Sequence, residues 1–528
     1  MAAEPNAGTL PSNWDAPLSV PWATAPSRME TEVADLQVQG TTPTQISGTF
    51  YRIMADPFFP PAPENSMPIE GDGNVSAFRI HDGQVDMKTR YVDTERLRLE
   101  RKANRRLFGL YRNPFTHHPC VRAAVDSTAN TNVVYWAGRL LALKEVALPY
   151  EVDVDTLETI SYDPFGGEAG VRAKTFSAHP KVDPFTKELV VFGYEAKGLA
   201  SLDVVIYALD EKGEKRDEQW IEAPWRAMIH DCAITENFII LVLWPFEADM
   251  ERLRAGGHHW AWNHKRPATF IVVPRRPGKN LPRGWNEGEY RVYEWENCIA
   301  LHTAAAWEEK AADGEGVVLY MESSRVFDNE LPFFPPADPS TVPAPVGKAD
   351  FVRWKFDLNQ PSGSRIEDPR TVLDLPSEFP RIDERFMTKK YERLFLDVVL
   401  GAPGPGVIPS LNGLAMVNTT TGETEYYNPG ENCHVEEPVF IPRHEGAPEG
   451  DGWVLAMVER KSVNRSDLVL LDTRDFSRPT AIINLPFRVR GQIHGNWVSS
   501  EELGQCRPLV RTVDEIQVSG RGALEAEN

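Results

Sequence analysis

The stretch ELVVFGYEAKGLASLDVVIYAL, residues 188–209, contains two runs of the kind that form β-strands. Both runs are rich in Val, Leu, Ile and aromatic side chains, and Gly198 lies in the gap between them. Branched and aromatic side chains suit a pleated sheet, and a gap that contains glycine favours a turn. The stretch therefore predicts two short strands joined by a brief connection.

Similar runs recur from residue 48 to the C-terminal region, whereas amphipathic helices are predicted only around 94–109 and 248–255. Further examples are TNVVYWAG (131–138), RLLALKEV (139–146), FIILVLWPF (238–246), TFIVVP (269–274), GVVLYMES (316–323), WVLAMVER (453–460) and DLVLLDT (467–473). Many short strands with turn residues between them are typical of an all-β propeller or sandwich. No linker divides the chain, so we expect one domain over 41–515, with flexible tails at 1–40 and 516–528.

Charge and apolar patterning exclude several classes of protein. The net charge is −21 and the chain has no extended basic face, which argues against nucleic-acid binding. The longest apolar run, 238–246, is far shorter than the ~20 residues that cross a bilayer, so no transmembrane segment is expected. The five cysteines are scattered and form no CxxC pair, which favours reduced thiols and a cytoplasmic protein.

Four of the twelve histidines share a local context, because each lies at or near the end of a short apolar segment. They are His179 in FSAHPKVDP, His230 in RAMIHDCAI, His302 in CIALHTAAAWE and His494 in RGQIHGNWV. Neutral imidazole binds iron, zinc and copper. Spacings of 51, 72 and 192 residues are too long for a zinc finger or a HExxH helix. They would suit one ligand from each of four blades, although any one of these histidines, taken alone, is more often an ordinary core residue.

Several segments resemble the carotenoid cleavage oxygenases, in the order that is usual for that family. The resemblance runs from GTFYRIMADP (48–57) and GDGNVSAF (71–78) to GNWV (495–498). Between these lie TANTNVVYWAGRLLALKE, SAHPKVDP, FGYEAKG, MIHDCAITENF, EFPRIDER and EEPVFIPR. Within the family, the chain is most similar to the fungal and bacterial enzymes that cleave stilbenes.

The resemblance implies a seven-bladed β-propeller with a dome of loops and helices over an iron centre. It implies one Fe(II) per chain, held by His179, His230, His302 and His494, with O2 as co-substrate. It further implies that Glu145, Glu378 and Glu437 accept hydrogen bonds from ligand imidazoles, and that Thr131 stands near an open iron position. A carboxylate on the second ring nitrogen would fix the tautomer of each ligand and raise its basicity.

Two residues bear on the substrate. Lys144 and Tyr111 match the pair that binds the phenolic 4-hydroxyl in stilbene-cleaving members, whereas a carotenoid tunnel has little use for a buried lysine. A partly buried ammonium would lower the pKa of a nearby phenol and favour phenolate character, which makes the conjugated alkene easier to oxidise. Phe333 and Phe334, in LPFFPP, are predicted to supply an apolar wall for the substrate rings.

We therefore predict a dioxygenase that adds O2 across the central alkene of 4-hydroxystilbenes such as resveratrol, piceatannol or lignin-type stilbenes. The products would be two aromatic aldehydes, and the expected partner is a small aromatic alkene substrate. One alternative is cleavage of carotenoids or apocarotenoids, which the pair of Lys144 and Tyr111 disfavours. Another is a catalytically inactive propeller that serves as a binding scaffold. The sequence leaves the oligomeric state open.

Overall fold

The structure, a computed structural model, describes residues 26–60, 67, 69–166, 173–311, 314, 316–401 and 410–510. The predicted C-terminal tail, 516–528, lies outside these ranges, as do residues 1–25 of the predicted N-terminal tail. The remainder of that segment includes two strands, β1 (Thr31–Val33) and β2 (Gln37–Gly40). In the described residues, no helix is both long and apolar enough to cross a membrane.

The N-terminal region continues with a three-stranded antiparallel meander and a helix. These are β3 (Gly48–Asp56), β4 (Asp72–His81), β5 (Gln84–Tyr91) and α1 (Glu95–Ala103). The Thr94 hydroxyl caps α1 by accepting a hydrogen bond from the Leu97 amide. The helix ends at Asn104, which adopts a left-handed conformation with φ of 51°.

Three sheets follow along the chain. The first contains β6 (Asn132–Trp136), β7 (Arg139–Leu143), β8 (Tyr150–Val152) and β9 (Thr159–Tyr162). The second contains β10 (Lys181–Asp183), β11 (Glu188–Tyr194), β12 (Asp203–Leu209) and β13 (Lys215–Glu222). The third contains β14 (Ala227–Met228), β15 (Cys232–Ile234), β16 (Phe238–Ala248), β17 (Trp260–Trp262), β18 (Ala268–Pro274) and β19 (Arg291–Trp295), with α2 (Met250–Arg254) after β16. Strands β11 and β12 pair antiparallel, which confirms the prediction from residues 188–209.

Three more sheets complete the series. The fourth contains β20 (Ile299–Lys310), β21 (Val317–Val326), β22 (Ala349–Asp357) and β24 (Arg370–Leu373), whereas β23 (Ser364–Arg365) pairs with β19. The fifth contains β25 (Ser377–Ile382), β26 (Arg393–Val398), β27 (Gly413–Asn418) and β28 (Thr424–Tyr427). The sixth contains β29 (Cys433–Val435), β30 (Val439–Pro442), β31 (Gly452–Arg460), β32 (Arg465–Asp472) and β33 (Pro479–Asn484). Last come β34 (Gln492–Ser499) and α3 (Ser500–Leu503), and 3-10 turns occur at Pro119–Val121, Pro339–Thr341, Glu384–Phe386 and Lys461–Val463.

The two ends of the chain close the ring. Strand β34 pairs with β3 in a composite sheet of order β1-β5-β4-β3-β34, and β2 adds to the outer edge of the sixth sheet. Within the described ranges, six blades are thus built around consecutive strands, and the composite sheet closes the ring. The expectation of a seven-bladed propeller is corrected to six such blades, while the all-β propeller class is right. A run of apolar residues reveals a strand, but it does not show which distant strand becomes its partner.

The inner strands β6, β10, β15, β20, β25, β30 and β34 surround the axis of the ring, and the apolar faces of the blades pack outside them. Two long connections, 92–131 and 249–259, pack against each other and form what we call the dome. The Asn113 side-chain amide joins them by donating to the carbonyls of Leu253 (3.0 Å) and Gly257 (2.7 Å).

Candidate active site

The four predicted histidines converge on the axis of the ring. His302 lies in β20 and His494 in β34, whereas His179 and His230 each lie two residues before an inner strand, β10 and β15 respectively. One ring nitrogen of each lies within 4.8 Å of one nitrogen of every other. Residues that are far apart in sequence meet because each occupies or precedes an inner strand, and all inner strands face the same axis.

The cluster has the geometry of a metal site. The Nε2 atom of His230 lies 3.1 Å from that of His179 and 2.9 Å from that of His302. Imidazole nitrogens at right angles around a first-row metal, each at about 2.1 Å, would be about 3 Å apart. The Nε2 atom of His494 is buried and has no hydrogen-bond partner among the described residues. The four rings therefore fit one metal ion and leave a nitrogen that a metal would satisfy.

Each of the three predicted glutamates contacts a different histidine. The Nδ1 atoms of His230 and His302 lie 2.5 Å from Glu145 Oε1 and 2.6 Å from Glu378 Oε2. Glu437 Oε1 lies 3.1 Å from His494 Nδ1. When Nδ1 donates to a carboxylate, Nε2 is left as the free lone pair, which is the tautomer that a metal requires.

The carboxylates are themselves fixed by further hydrogen bonds. Glu378 accepts from the backbone amides of His302 (3.2 Å) and Phe379 (2.6 Å), and Glu437 accepts from the amide of Gly495 (2.9 Å). Burial alone would raise the pKa of Glu437, but the nearby His494 ring and the Arg381 guanidinium hold it at about 2. Glu378 and Glu437 are thus anionic and have little rotational freedom.

Burial also affects the histidines. Together with the three neighbouring imidazoles, it holds the pKa of His179 well below its usual range. This ring is therefore neutral at physiological pH, as a metal ligand must be.

Lys144 and Tyr111 meet on the dome side of the cluster. Lys144 follows β7 and is only 4% exposed, and its Nζ lies 4.9 Å from the centre of the Tyr111 ring. Among the described residues, its ammonium makes no hydrogen bond and no ion pair. Glu145, the next residue, holds His230. A buried charge without a partner is costly, so this ammonium is poised to take an acceptor from a ligand.

Charged groups of both signs act on Lys144 at longer range. Burial lowers the pKa of this lysine to about 8, against the opposing attraction of Asp126. Asp126 is fixed by Arg96 (2.8 Å) and by His117 Nε2 (3.1 Å), and His117 Nδ1 accepts from the Gly109 amide (3.0 Å). Burial raises the pKa of Tyr111 well above its usual range, so this hydroxyl stays protonated and can donate a hydrogen bond.

The predicted apolar wall is partly in place. Phe334 is buried, and its ring centre lies 6.2 Å from that of Tyr111 and 5.6 Å from that of Phe246. Phe333 packs on Phe334 at 4.9 Å and is only partly buried. The structure thus places the Phe334 ring near the Tyr111 ring, and the Phe333 ring packs against Phe334.

Thr131 lies directly before β6, the inner strand beside β34. Its amide donates to the Leu143 carbonyl (2.9 Å), and its hydroxyl lies 3.1 Å from the Asn130 side-chain oxygen. These bonds fix the backbone at the entrance to β6. Its predicted role near an open metal position stays a prediction.

Sequence reasoning did not identify three residues that touch the site. The Trp244 ring packs on His230 with ring centres 4.5 Å apart, and Phe379 stacks on His302 at 5.2 Å. Arg381 lies 3.3 Å from Glu437 and also donates to the Gly495 carbonyl at 3.0 Å. Phe379 and Arg381 belong to the EFPR segment that was singled out only for its glutamate, whereas Trp244 lies within a run that was predicted only as a strand.

Comparisons with known proteins agree over nearly the whole chain. A profile of the family described as retinal pigment epithelial membrane protein matches residues 24–499. Resveratrol cleavage oxygenase 1 of Botryotinia fuckeliana is 62% identical over 523 residues, which cover 98% of this chain and 92% of that protein. The protein of the same name from Aspergillus fumigatus is 42% identical over 492 residues, with 91% and 95% covered. The crystal structure of Pseudomonas brassicacearum lignostilbene dioxygenase matches with a TM-score of 0.83 at 38% identity, covering 91% of this chain and 99% of that one.

Proposed function

The chain belongs to the carotenoid cleavage oxygenase family, and on this premise we propose that it cleaves the central double bond of 4-hydroxystilbenes with O2. Both oxygen atoms would enter the products, so the alkene carbons become the carbonyl carbons of two aromatic aldehydes. Relatives named for resveratrol and lignostilbene cleavage support this substrate class. The observation that carries the proposal is the buried ammonium of Lys144, which has no acceptor among the described residues.

The proposed metal is a single Fe(II) ion, held by His179, His230, His302 and His494. Four neutral imidazoles leave coordination positions open, and a ferrous ion there would supply the activation of O2 that closed-shell alkenes require. Glu145, Glu378 and Glu437 would orient three of the ligands, and their negative charges would offset the charge of the ion.

The chain's own residues would position and polarise the substrate. The Lys144 ammonium and the Tyr111 hydroxyl would both donate to the oxygen of the 4-hydroxyl group. A cation beside a phenol in a buried site lowers the pKa of that phenol and favours the phenolate. Electron density would then move through the ring to the alkene, which becomes more readily oxidised. Phe334 would pack against the ring that is held in this way.

The position of Lys144 in the chain links substrate binding to the metal centre. Glu145 directly follows it and bonds to His230, so the two backbone positions are about 3.8 Å apart. A phenol anchored at Lys144 would therefore lie close to the residue that orients His230. A hydrocarbon carotenoid such as β-carotene offers no acceptor to this ammonium, so binding one would leave the ammonium without a hydrogen-bond acceptor. That difference disfavours the carotenoid alternative.

The test is aerobic incubation of iron-loaded protein with resveratrol and, separately, with β-carotene and an apocarotenal, with aldehydes separated by chromatography. The proposal predicts two hydroxybenzaldehydes from resveratrol and about thirtyfold slower formation of both by Lys144→Met. Cleavage of the polyenes alone would overturn the substrate. Failure of the four-histidine site to bind iron would overturn the enzyme and favour a binding scaffold.

A cytoplasmic location is also proposed. It is supported by the five cysteines, all of which are free thiols in the structure.

A further inference from the structure

A second approach to the histidine cluster runs along the axis of the ring. A cavity of about 100 Å³ touches His179, His302 and His494. Its other lining residues are Asn132, Val134, Pro180, Lys181, Val182, Asp231, Thr303, Ala304, Pro380, Arg381, Ile382, Glu384, Met387, Glu437 and Asn496. Among the described residues, none of the lining comes from the dome, and neither Lys144 nor Tyr111 takes part. The cavity is therefore separate from the proposed substrate side.

The lining of this axial cavity is polar and carries an excess negative charge. It contains three carboxylates and two basic side chains. Lys181 pairs with Asp231 at 2.8 Å, and Arg381 pairs with Glu384 at 2.5 Å and with Glu437 at 3.3 Å. The Glu384 side chain is 56% exposed, which places it at the outer end of the cavity. The cavity is too polar and too small to suit a stilbene.

The two approaches differ in the charged side chains that a metal ion would pass. On the dome side, an incoming dication would meet the Lys144 ammonium and the rings of Tyr111 and Phe334. On the axial side, it would meet Glu384 and then Glu437, which already bonds to His494. A cleft lined by one sign of charge raises the local concentration of the opposite ion and speeds its entry.

We propose that the axial cavity is the route by which Fe(II) reaches the four histidines, and that Glu384 attracts the ion at its outer end. The inference rests on the proposed metal centre but not on the stilbene substrate. His494 Nε2, which is buried and unpartnered in the described chain, lies on a residue that lines this route. The metal would thus enter from one side of the cluster and the organic substrate from the other.

The test measures the rate of metal uptake rather than catalysis. Metal-free protein is mixed rapidly with Co²⁺, and binding is followed by the visible absorption of the bound ion. Glu384→Gln should slow uptake about threefold to tenfold and Glu384→Lys should slow it more, because both remove negative charge from the entrance. The amount of Co²⁺ bound at equilibrium should not change, since Glu384 does not contact the histidines.

The matched control is Glu236→Gln. Glu236 is also exposed (60%) and ion-paired, with Lys389 at 2.6 Å, but it does not line the cavity. The rate of Co²⁺ uptake by Glu236→Gln should equal that of the unsubstituted protein. Added salt should slow uptake by the unsubstituted protein and affect Glu384→Lys less, because screening weakens only an attraction that is present.

Two further variants distinguish metal entry through the axial cavity from metal entry on the dome side. Val182→Phe adds bulk to the cavity lining without changing charge and should also slow uptake. Lys144→Met removes the positive charge on the dome side and should leave the rate unchanged. Equal rates in Glu384→Lys and unsubstituted protein, or faster uptake in Lys144→Met, would overturn the axial route. If the unsubstituted protein bound no Co²⁺ at equilibrium, the metal centre itself would be overturned.

Discussion

The metal-facing and substrate-facing sides of the site differ in how completely their polar groups are paired. On the metal side, Glu378 accepts hydrogen bonds from His302 and from two backbone amides, and Glu437 contacts His494, Gly495 and Arg381. On the substrate side, Lys144 has an aromatic ring beside it and no acceptor among the described residues. The carboxylates that must hold the histidines in a fixed geometry thus make several contacts each. The ammonium that must receive a ligand has no acceptor of its own among the described residues.

The largest effect is expected from breaking the paired side. Glu378→Gln should weaken metal binding tenfold to a hundredfold, because an amide orients the His302 ring less strongly than a carboxylate. Competition with a chelator measures the change. Glu309→Gln, in the same strand as His302 but near its exposed end, is the control and should bind metal normally. Unchanged metal affinity in Glu378→Gln would show that this carboxylate does not support the ligand.

Substitution of Lys144 should affect cleavage of the substrate and should leave metal binding unchanged. Lys144→Met should lower kcat/KM for a 4-hydroxystilbene about thirtyfold, since a hydrogen bond to a charged group contributes about 2 kcal/mol. Metal content should be unchanged, and a stilbene without the hydroxyl should react with Lys144→Met at least as fast as with the unsubstituted protein, because the substitution removes a charge that this ligand cannot pair. Lys88→Met is the control, because Lys88 is also buried but bonds to the Asp155 carbonyl at 3.1 Å. Loss of metal in Lys144→Met would contradict the division of roles.

The protonation of Lys144 should make kcat/KM for a 4-hydroxystilbene depend on pH. Burial lowers the pKa of this lysine to about 8, with Asp126 and Glu70 opposing that shift and Arg96 and Arg112 adding to it. A lysine is charged below its pKa, so kcat/KM should be constant below about pH 8. Above that value it should fall by up to about tenfold per pH unit. The fall should be absent in Lys144→Met, and a pH profile of both proteins measures it. Identical profiles would show that Lys144 is not the titrating group.

The smallest effect is expected at the edge of the substrate side. Phe333→Leu should raise KM about threefold, because an aromatic pair such as Phe333 with Phe334 contributes about 0.5–1.5 kcal/mol beyond the area it buries. Phe185→Leu, at an exposed position, should leave KM unchanged. A change in kcat without a change in KM would show that Phe333 does more than pack against the substrate.

The local parts of the fold were predictable from sequence. The run at 238–246 lies within β16, and the helix expected around 94–109 is α1, although it stops earlier because Asn104 turns left-handed. The composite closing sheet was not predictable. It pairs Ile53 with His494, and nothing in either segment identifies the other as its partner.

The site likewise has features that could be predicted from sequence and features that could not. The histidines and glutamates could be proposed from motifs, and the structure brings each glutamate to a different histidine. The packing of Trp244 on His230 could not be proposed, because it depends on how β16 passes the cluster. That Lys144 has no acceptor among the described residues could not be proposed either, since it depends on every element that packs around the side chain.

The most direct test of the account is an anaerobic titration of metal-loaded protein with a 4-hydroxystilbene, followed by ultraviolet–visible difference spectroscopy. In the absence of O2 the substrate binds without reacting, so the spectrum reports the state of its phenol. The account predicts a shift toward the phenolate spectrum in the unsubstituted protein, with a much smaller shift and weaker binding in Lys144→Met. The same spectrum and the same affinity in both proteins would contradict the claim that Lys144 receives the phenol.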